Sequence, residues 1–116
     1  MKIELTKFIN TLTISLDYVE EEIIKTARNH GKRIAVLTNL MARKIGIDDS
    51  IIYVLTEAAL LHDCALSEYF NDELDGNNKQ LDERNMSEHC ITGEEMLMKI
   101  PGYEQIKGAV LYHHER

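Results

Sequence analysis

The chain has 116 residues, 44% hydrophobic and 28% charged, the balance of one globular domain with a single core rather than a disordered or fibrous chain. Its net charge of −7, with Lys25, Arg28, Lys32, Arg33, Arg43 and Lys44 scattered among acids, excludes the clustered basic face that displaces counterions from nucleic acid. An acidic protein that handles phosphate esters needs local positive charge from elsewhere, and bound metal ions are the usual source.

The first residues, Met1 to Lys7, mix acid and base and lack a long apolar stretch, so they form neither a signal peptide nor a membrane span. Cys64 and Cys90 are the two cysteines, without close spacing, which fits a reducing compartment better than a disulfide scaffold. A cytoplasmic protein is expected. Leu5, Phe8, Leu12, Leu16, Val19 and Ile23 recur at the helical period and predict an amphipathic helix, or two stacked ones, in a segment 1–25 that packs on the core. A second helix is expected from about Ile24 to Ile45. Its buried stripe would be Ile34, Leu37, Leu40, Met41 and Ile45, and Gly46 would stop it by taking the left-handed conformation.

Asp48-Asp49-Ser50 offers a cap and favourable charge for the next helix, Ile51 to about Tyr69. Val54, Leu55, Ala58, Ala59, Leu60 and Leu61 make that helix apolar around much of its circumference, so it belongs in the middle of a bundle. His62 and Asp63 would lie near its inner end, and burying two polar groups there calls for a functional reason. Residues 71–85 are polar and turn-prone and read as a long exposed loop. Ser87 can cap a short helix through about Ile100, Pro101-Gly102 breaks it, and a last helix carries Tyr103 to His114. No strand is read. The fold class is all-α: one helical bundle spanning residues 1–116.

His30, His62, His89, His113 and His114 all fall on predicted helices, and four separate helices contribute them together with Asp63. Imidazoles and a carboxylate converging in a bundle interior make a transition-metal site for zinc, manganese or iron. Adjacent residues point about 100° apart on a helix. His62-Asp63 and His113-His114 can therefore each approach two ions from one wall, as a dinuclear centre sharing a hydroxide requires.

Four runs, Asn29-His30-Gly31-Lys32-Arg33-Ile34-Ala35, Ala58-Ala59-Leu60-Leu61-His62-Asp63, Glu88-His89-Cys90-Ile91-Thr92-Gly93 and Val110-Leu111-Tyr112-His113-His114-Glu115-Arg116, resemble in order the HD-GYP subfamily of HD-domain phosphohydrolases. The resemblance covers the chain from His30 onward. It implies a helical HD fold, a di-iron or di-manganese centre, and hydrolysis of cyclic di-GMP, a bacterial second messenger, by a metal-bridged hydroxide. It assigns His30, His62 and Asp63 to one ion, with Asp63 bridging to a second held by His89, His113 and His114, and it places catalysis at His62 and Asp63. The family's last aspartate ligand and its Gly-Tyr-Pro segment would lie beyond Arg116, so the domain is expected to be incomplete at its C-terminus and the segment alone to be weakly active or inactive.

Two departures stand inside the chain. Cys64-Ala65-Leu66 occupies the family's Ile-Gly-Lys run, so Leu66 removes a cation expected on the substrate phosphate. Thr26 stands where some trinuclear members carry glutamate, so a third metal is not expected. Two other functions remain open: a regulatory or nucleotide-binding module that keeps the fold and has lost turnover, and a mononuclear nucleotide phosphohydrolase using His30, His62 and Asp63. The partner is a small nucleotide, with neither nucleic acid nor membrane, and a homodimer would cover apolar surface left by missing helices. Cys64 and Cys90 read as small buried hydrophobes, Met86, Met96 and Met98 as packing, Thr92-Gly93 as a close helix contact, and Glu115 as a solvated end or a partner for an imidazole.

Overall fold

The first element is α1 (Leu5–Ile23). It is followed by α2 (His30–Lys44), α3 (Asp49–Leu60), a 3-10 turn (Cys64–Leu66), α4 (Glu83–Leu97) and a second 3-10 turn (Tyr103–Ile106). The computed structural model describes residues 4–23, 25–67 and 83–115, and no strand occurs among them. The fold is all-α. No helix among the described residues is long and apolar enough to cross a membrane.

The inward face of α1 is not the apolar stripe read from the sequence. Ile9, Thr13, Asp17 and Glu20 are buried, whereas Leu5, Phe8 and Leu12 are exposed; the helix is turned by about one residue. The buried Thr13 hydroxyl donates to the Asn10 carbonyl at 2.9 Å, and Asp17 accepts the Gly31 N–H at 3.1 Å. α1 thus anchors through Ile9, with the half-buried Leu16 of the expected stripe packed against the core beside it, and carries a polar half directed at the interior.

α2 starts at His30, not near Ile24, because Lys25 (φ 55°) and Asn29 (φ 57°) are left-handed, a conformation that interrupts a helix. It buries Gly31, Ala35 and Ala42, while Leu37, Leu40, Met41 and Ile45 are 54%, 60%, 66% and 75% exposed. Only Ile34 of the expected stripe is half-buried. Small side chains let α2 lie close on α3, and Asn39 reinforces the contact by donating to the Thr56 hydroxyl at 3.0 Å. Gly46 (φ 79°) ends the helix as expected.

The Asp48 carboxylate accepts from the Ser50 N–H at 2.9 Å and its hydroxyl at 2.6 Å, capping α3. That helix ends at Leu60, earlier than the apolar run suggests, and the chain tightens into the Cys64–Leu66 turn. His62 and Asp63 therefore sit past the helix, not on it; Tyr69 lies outside the described residues. Of the predicted 71–85 loop, residues 71–82 also lie outside them, but α4 already begins at Glu83, ahead of Ser87, and stops at Leu97.

The last predicted helix is absent as such. Gly102 (φ 92°) and Gly108 (φ 93°) break the segment, leaving the Tyr103–Ile106 turn and a run of turns to His114. Ile9, Ala58, Leu61, Leu97, Tyr103, Ile106 and Val110 form the core. Each large apolar side chain there contributes roughly 1.5–3 kcal/mol by leaving water. Within that core the buried Glu57 carboxylate accepts from Tyr103 (3.0 Å) and from Thr6 (3.0 Å), tying α3 to α1 and to the closing turn.

Candidate metal centre

His30 owes its position to two backbone constraints beside it. Asn29 turns the chain into α2, and Gly31 is held against α1, where a Cβ would meet Asp17 Oδ1 at 3.2 Å and the Leu60 carbonyl at 3.3 Å. His62 and Asp63 follow the end of α3. His89 lies inside α4, and Gly93 lets that helix approach, since a Cβ there would lie 3.3 Å from Val110 and 3.5 Å from the His62 carbonyl. His113 and His114 close the chain on a turn gripped from α4: the buried Glu94 carboxylate accepts the N–H groups of Gly108 (2.5 Å) and Leu111 (3.2 Å).

These elements bring all six candidate residues together. Ring centroids run His30–His62 5.3 Å, His62–His113 5.1 Å, His113–His89 5.3 Å, His89–His114 5.1 Å and His113–His114 4.1 Å. Asp63 is the hub. Its Oδ2 lies 3.1 Å from His62 Nε2, and its Oδ1 lies 3.2 Å from both His89 Nε2 and His113 Nε2. Donor atoms of His30, His62 and Asp63 lie within 4.8 Å of one another, as do those of His89, Cys90, His113 and His114.

The donor set fits divalent cations on chemical grounds. His62 Nδ1 donates to the Ala59 carbonyl at 2.8 Å and His113 Nδ1 to the Val110 carbonyl at 2.5 Å, which leaves Nε2 of each neutral ring as a lone pair. A lone pair facing a carboxylate oxygen near 3 Å is repulsive unless a cation, a proton or a metal, lies between them. Imidazole with carboxylate is a transition-metal donor set. His89 Nδ1, moreover, is buried with no hydrogen-bond partner among the described residues.

In the metal-free protein a proton on His62 can serve as that cation. Burial would lower the His62 pKa, but the hydrogen bond and charge of Asp63 outweigh it and the net shift is upward. For Asp63 burial pulls upward, yet hydrogen bonds from His113, His62 and His89 hold the carboxyl far below its ordinary range. His30 is lowered by burial and then by His62, and His114 by burial and then by His113 and His89, so both stay neutral and able to ligate. Burial, followed by Asp63, raises Glu20 to about 7.

Four contributors were not legible as such. Glu20 sits in the acidic run Glu20-Glu21-Glu22 and Glu94 in the pair Glu94-Glu95, patterns that normally mark a solvated face. Asp17 gives no local signal. Cys90, expected to be a plain buried hydrophobe, is indeed buried, but its sulfur lies 3.8 Å from His89 Nε2.

Beside the histidines opens a cavity of about 300 Å³, walled by His30, His62, His113 and His114 and by apolar Ile34, Leu55 and Val110. Such a volume is at the lower end for small-molecule sites. Among known proteins, the chain is 36% identical over 90 residues to the 3'3'-cGAMP-specific phosphodiesterase 3 of Vibrio cholerae serotype O1, covering 75% of this chain and 19% of the relative. It is 28% identical over 86 residues to 3'3'-cGAMP-specific phosphodiesterase 1 of the same organism, covering 74% and 20%. The chain thus spans about a fifth of the length of these curated relatives. No solved structure matches it. Residues 27–116 match the HD domain, and with the His62-Asp63 pair at the hub of the cluster the chain belongs to the HD-domain family.

Proposed function

We propose that this domain is an HD-GYP-type phosphodiesterase, hydrolysing cyclic di-GMP or a related cyclic dinucleotide such as the one in its relatives' names. One observation carries the reading: Asp63 turns one oxygen to His62 and the other to His89 and His113, the disposition of a carboxylate that bridges two ions. His30, His62 and Asp63 would hold one ion and His89, His113 and His114 the second, with iron or manganese best suited to the donors. Such ions, when bound, supply charge to phosphoryl oxygens and lower the pKa of water.

The chain's own residues do the rest. The apolar wall of Ile34, Leu55 and Val110 offers a surface for a base, with the phosphate directed at the histidine end of the cavity. His114, exposed and held neutral, keeps its lone pair available to the second ion. Cytoplasmic operation fits a second-messenger substrate.

Leu66 favours a second reading. It is 1% exposed, packed in the interior at the position where the resembled family places its phosphate-binding lysine. No lysine or arginine lines the cavity among the described residues. A module that binds nucleotide without turning it over is what such a loss would leave. The two separate in one experiment on the protein carrying this domain, loaded with manganese or iron and given a panel of cyclic dinucleotides. Linear product formation, abolished in Asp63→Asn, supports the enzyme. Tight binding without product supports the module. Neither binding nor hydrolysis of any cyclic dinucleotide overturns both.

A further inference from the structure

α1 carries two acids into the interior, and they are not equivalent. Asp17 is engaged, with Oδ1 accepting the Gly31 N–H at 3.1 Å and Oδ2 lying 3.7 Å from Lys32 Nζ. Glu20 is 2% exposed, and its Oε2 has neither a hydrogen-bond partner nor a cation among the described residues. A buried carboxylate oxygen left in this state is unfavourable. Its surroundings sharpen the problem, because the groups that act on it are Asp63, His62 and Asp17. Three acidic side chains thus share one interior with the imidazoles around Asp63 and the half-exposed Lys32. A divalent cation there would give the orphaned Glu20 oxygen the partner it lacks.

The neighbouring donor group has room for it. His30, His62 and Asp63 offer three donors, and even with the further aspartate of the resembled family an ion of octahedral preference takes more. We propose that Glu20 is a further protein group for that ion, its Oε2 carboxylate oxygen joining the set of His30, His62 and Asp63. Glu20 stands outside the atoms that lie within 4.8 Å of one another. To serve the ion it must reach it by rotation of its side chain or across one bridging water, and either way the affinity would depend on the carboxylate. The inference rests on the reading that His30, His62 and Asp63 hold an ion.

Manganese(II) chloride titrated calorimetrically into metal-free wild type, Glu20→Gln and His30→Ala, with melting curves taken with and without the ion, tests it. A merely structural buried acid and a metal-serving one predict different results. The expectation is a Glu20→Gln protein that melts no lower than wild type without metal, because the amide keeps the shape of the acid and carries no charge to bury. It should bind manganese at least about tenfold more weakly at the site sensitive to His30→Ala, with a smaller rise in melting temperature on adding the ion. Equal affinity in Glu20→Gln and wild type overturns the role of Glu20 while leaving the metal centre standing. A wild type that binds no manganese, or a His30→Ala change without effect, overturns the centre and the role together. Where Glu20→Gln does not fold, Glu20→Asp decides: weakened binding in a folded protein supports the assignment, and unchanged binding refutes it.

Discussion

The two donor groups that meet at Asp63 are built in opposite ways. His30, His62 and Asp63 come from the start of α2 and the turn after α3, with Asp17 and Glu20 buried behind them on α1. Their positions follow from helix ends packed through small residues, and their surroundings are rich in carboxylate. His89, Cys90, His113 and His114 come from the middle of α4 and a run of turns, with His114 exposed. That second group is rich in nitrogen and sulfur and hangs on one carboxylate, Glu94, holding two backbone N–H groups. Oxygen-rich surroundings favour harder ions, and nitrogen and sulfur favour softer ones. A shared aspartate can therefore join two sites of different chemical preference and different stiffness.

The largest expected effect is at the joint. Asp63→Ala should weaken manganese binding at both groups by more than about 10²-fold, since even changes one shell further out cost 10- to 100-fold; titration calorimetry checks it. Survival of one full-affinity site would show that Asp63 serves a single group. Next come the paired variants His30→Ala and His89→Ala. Each should remove one of two bound equivalents, and loss of both from either change would mean that the groups are not separable.

A smaller effect is expected at the hinge of the second group. Glu94→Gln keeps a single amide oxygen where the carboxylate satisfies Gly108 and Leu111. An unsatisfied buried N–H corresponds to roughly 1–3 kcal/mol, read as a lower denaturant midpoint. Manganese affinity should fall only at the site sensitive to His89→Ala. Equal weakening at both sites would contradict the independence of the two scaffolds.

Proton competition is the mildest test. His62 has a folded-state pKa above its ordinary 6.5. The stabilisation from its charged pairing with Asp63 is therefore fully present below 6.5 and fades as pH rises through the raised value. A metal ion takes the proton's place, so affinity at the first group should climb by up to about tenfold per pH unit until His62 is deprotonated. Melting temperatures with and without manganese should accordingly diverge as pH increases. A gap that stays constant from pH 5.5 to 8 would rule out His62 as the competing group.

Much of this was written in the chain. The histidines and Asp63 marked the residues that the fold brings together, Gly46 and Asp48 marked the α2–α3 junction, and the helical spacing of the apolar residues marked an all-helical fold. What escaped follows from how periodicity works. An apolar run through Leu60, Leu61, Ala65 and Leu66 looks the same whether it continues as α-helix or tightens into a 3-10 turn, so the position of His62-Asp63 off the helix could not be seen. Hydrophobicity ranks Leu37, Leu40 and Met41 above Gly31, Ala35 and Ala42, yet close approach to α3 selects the small residues. Glu20 and Glu94 look like any surface acid until the fold removes their water.

His62 and His113 share one local device, each handing its Nδ1 proton to the carbonyl three residues earlier in its own turn. Ring orientation is therefore set by neighbours along the chain and survives an empty pocket. A cation that enters would meet rings already aimed, with no backbone to rebuild around it.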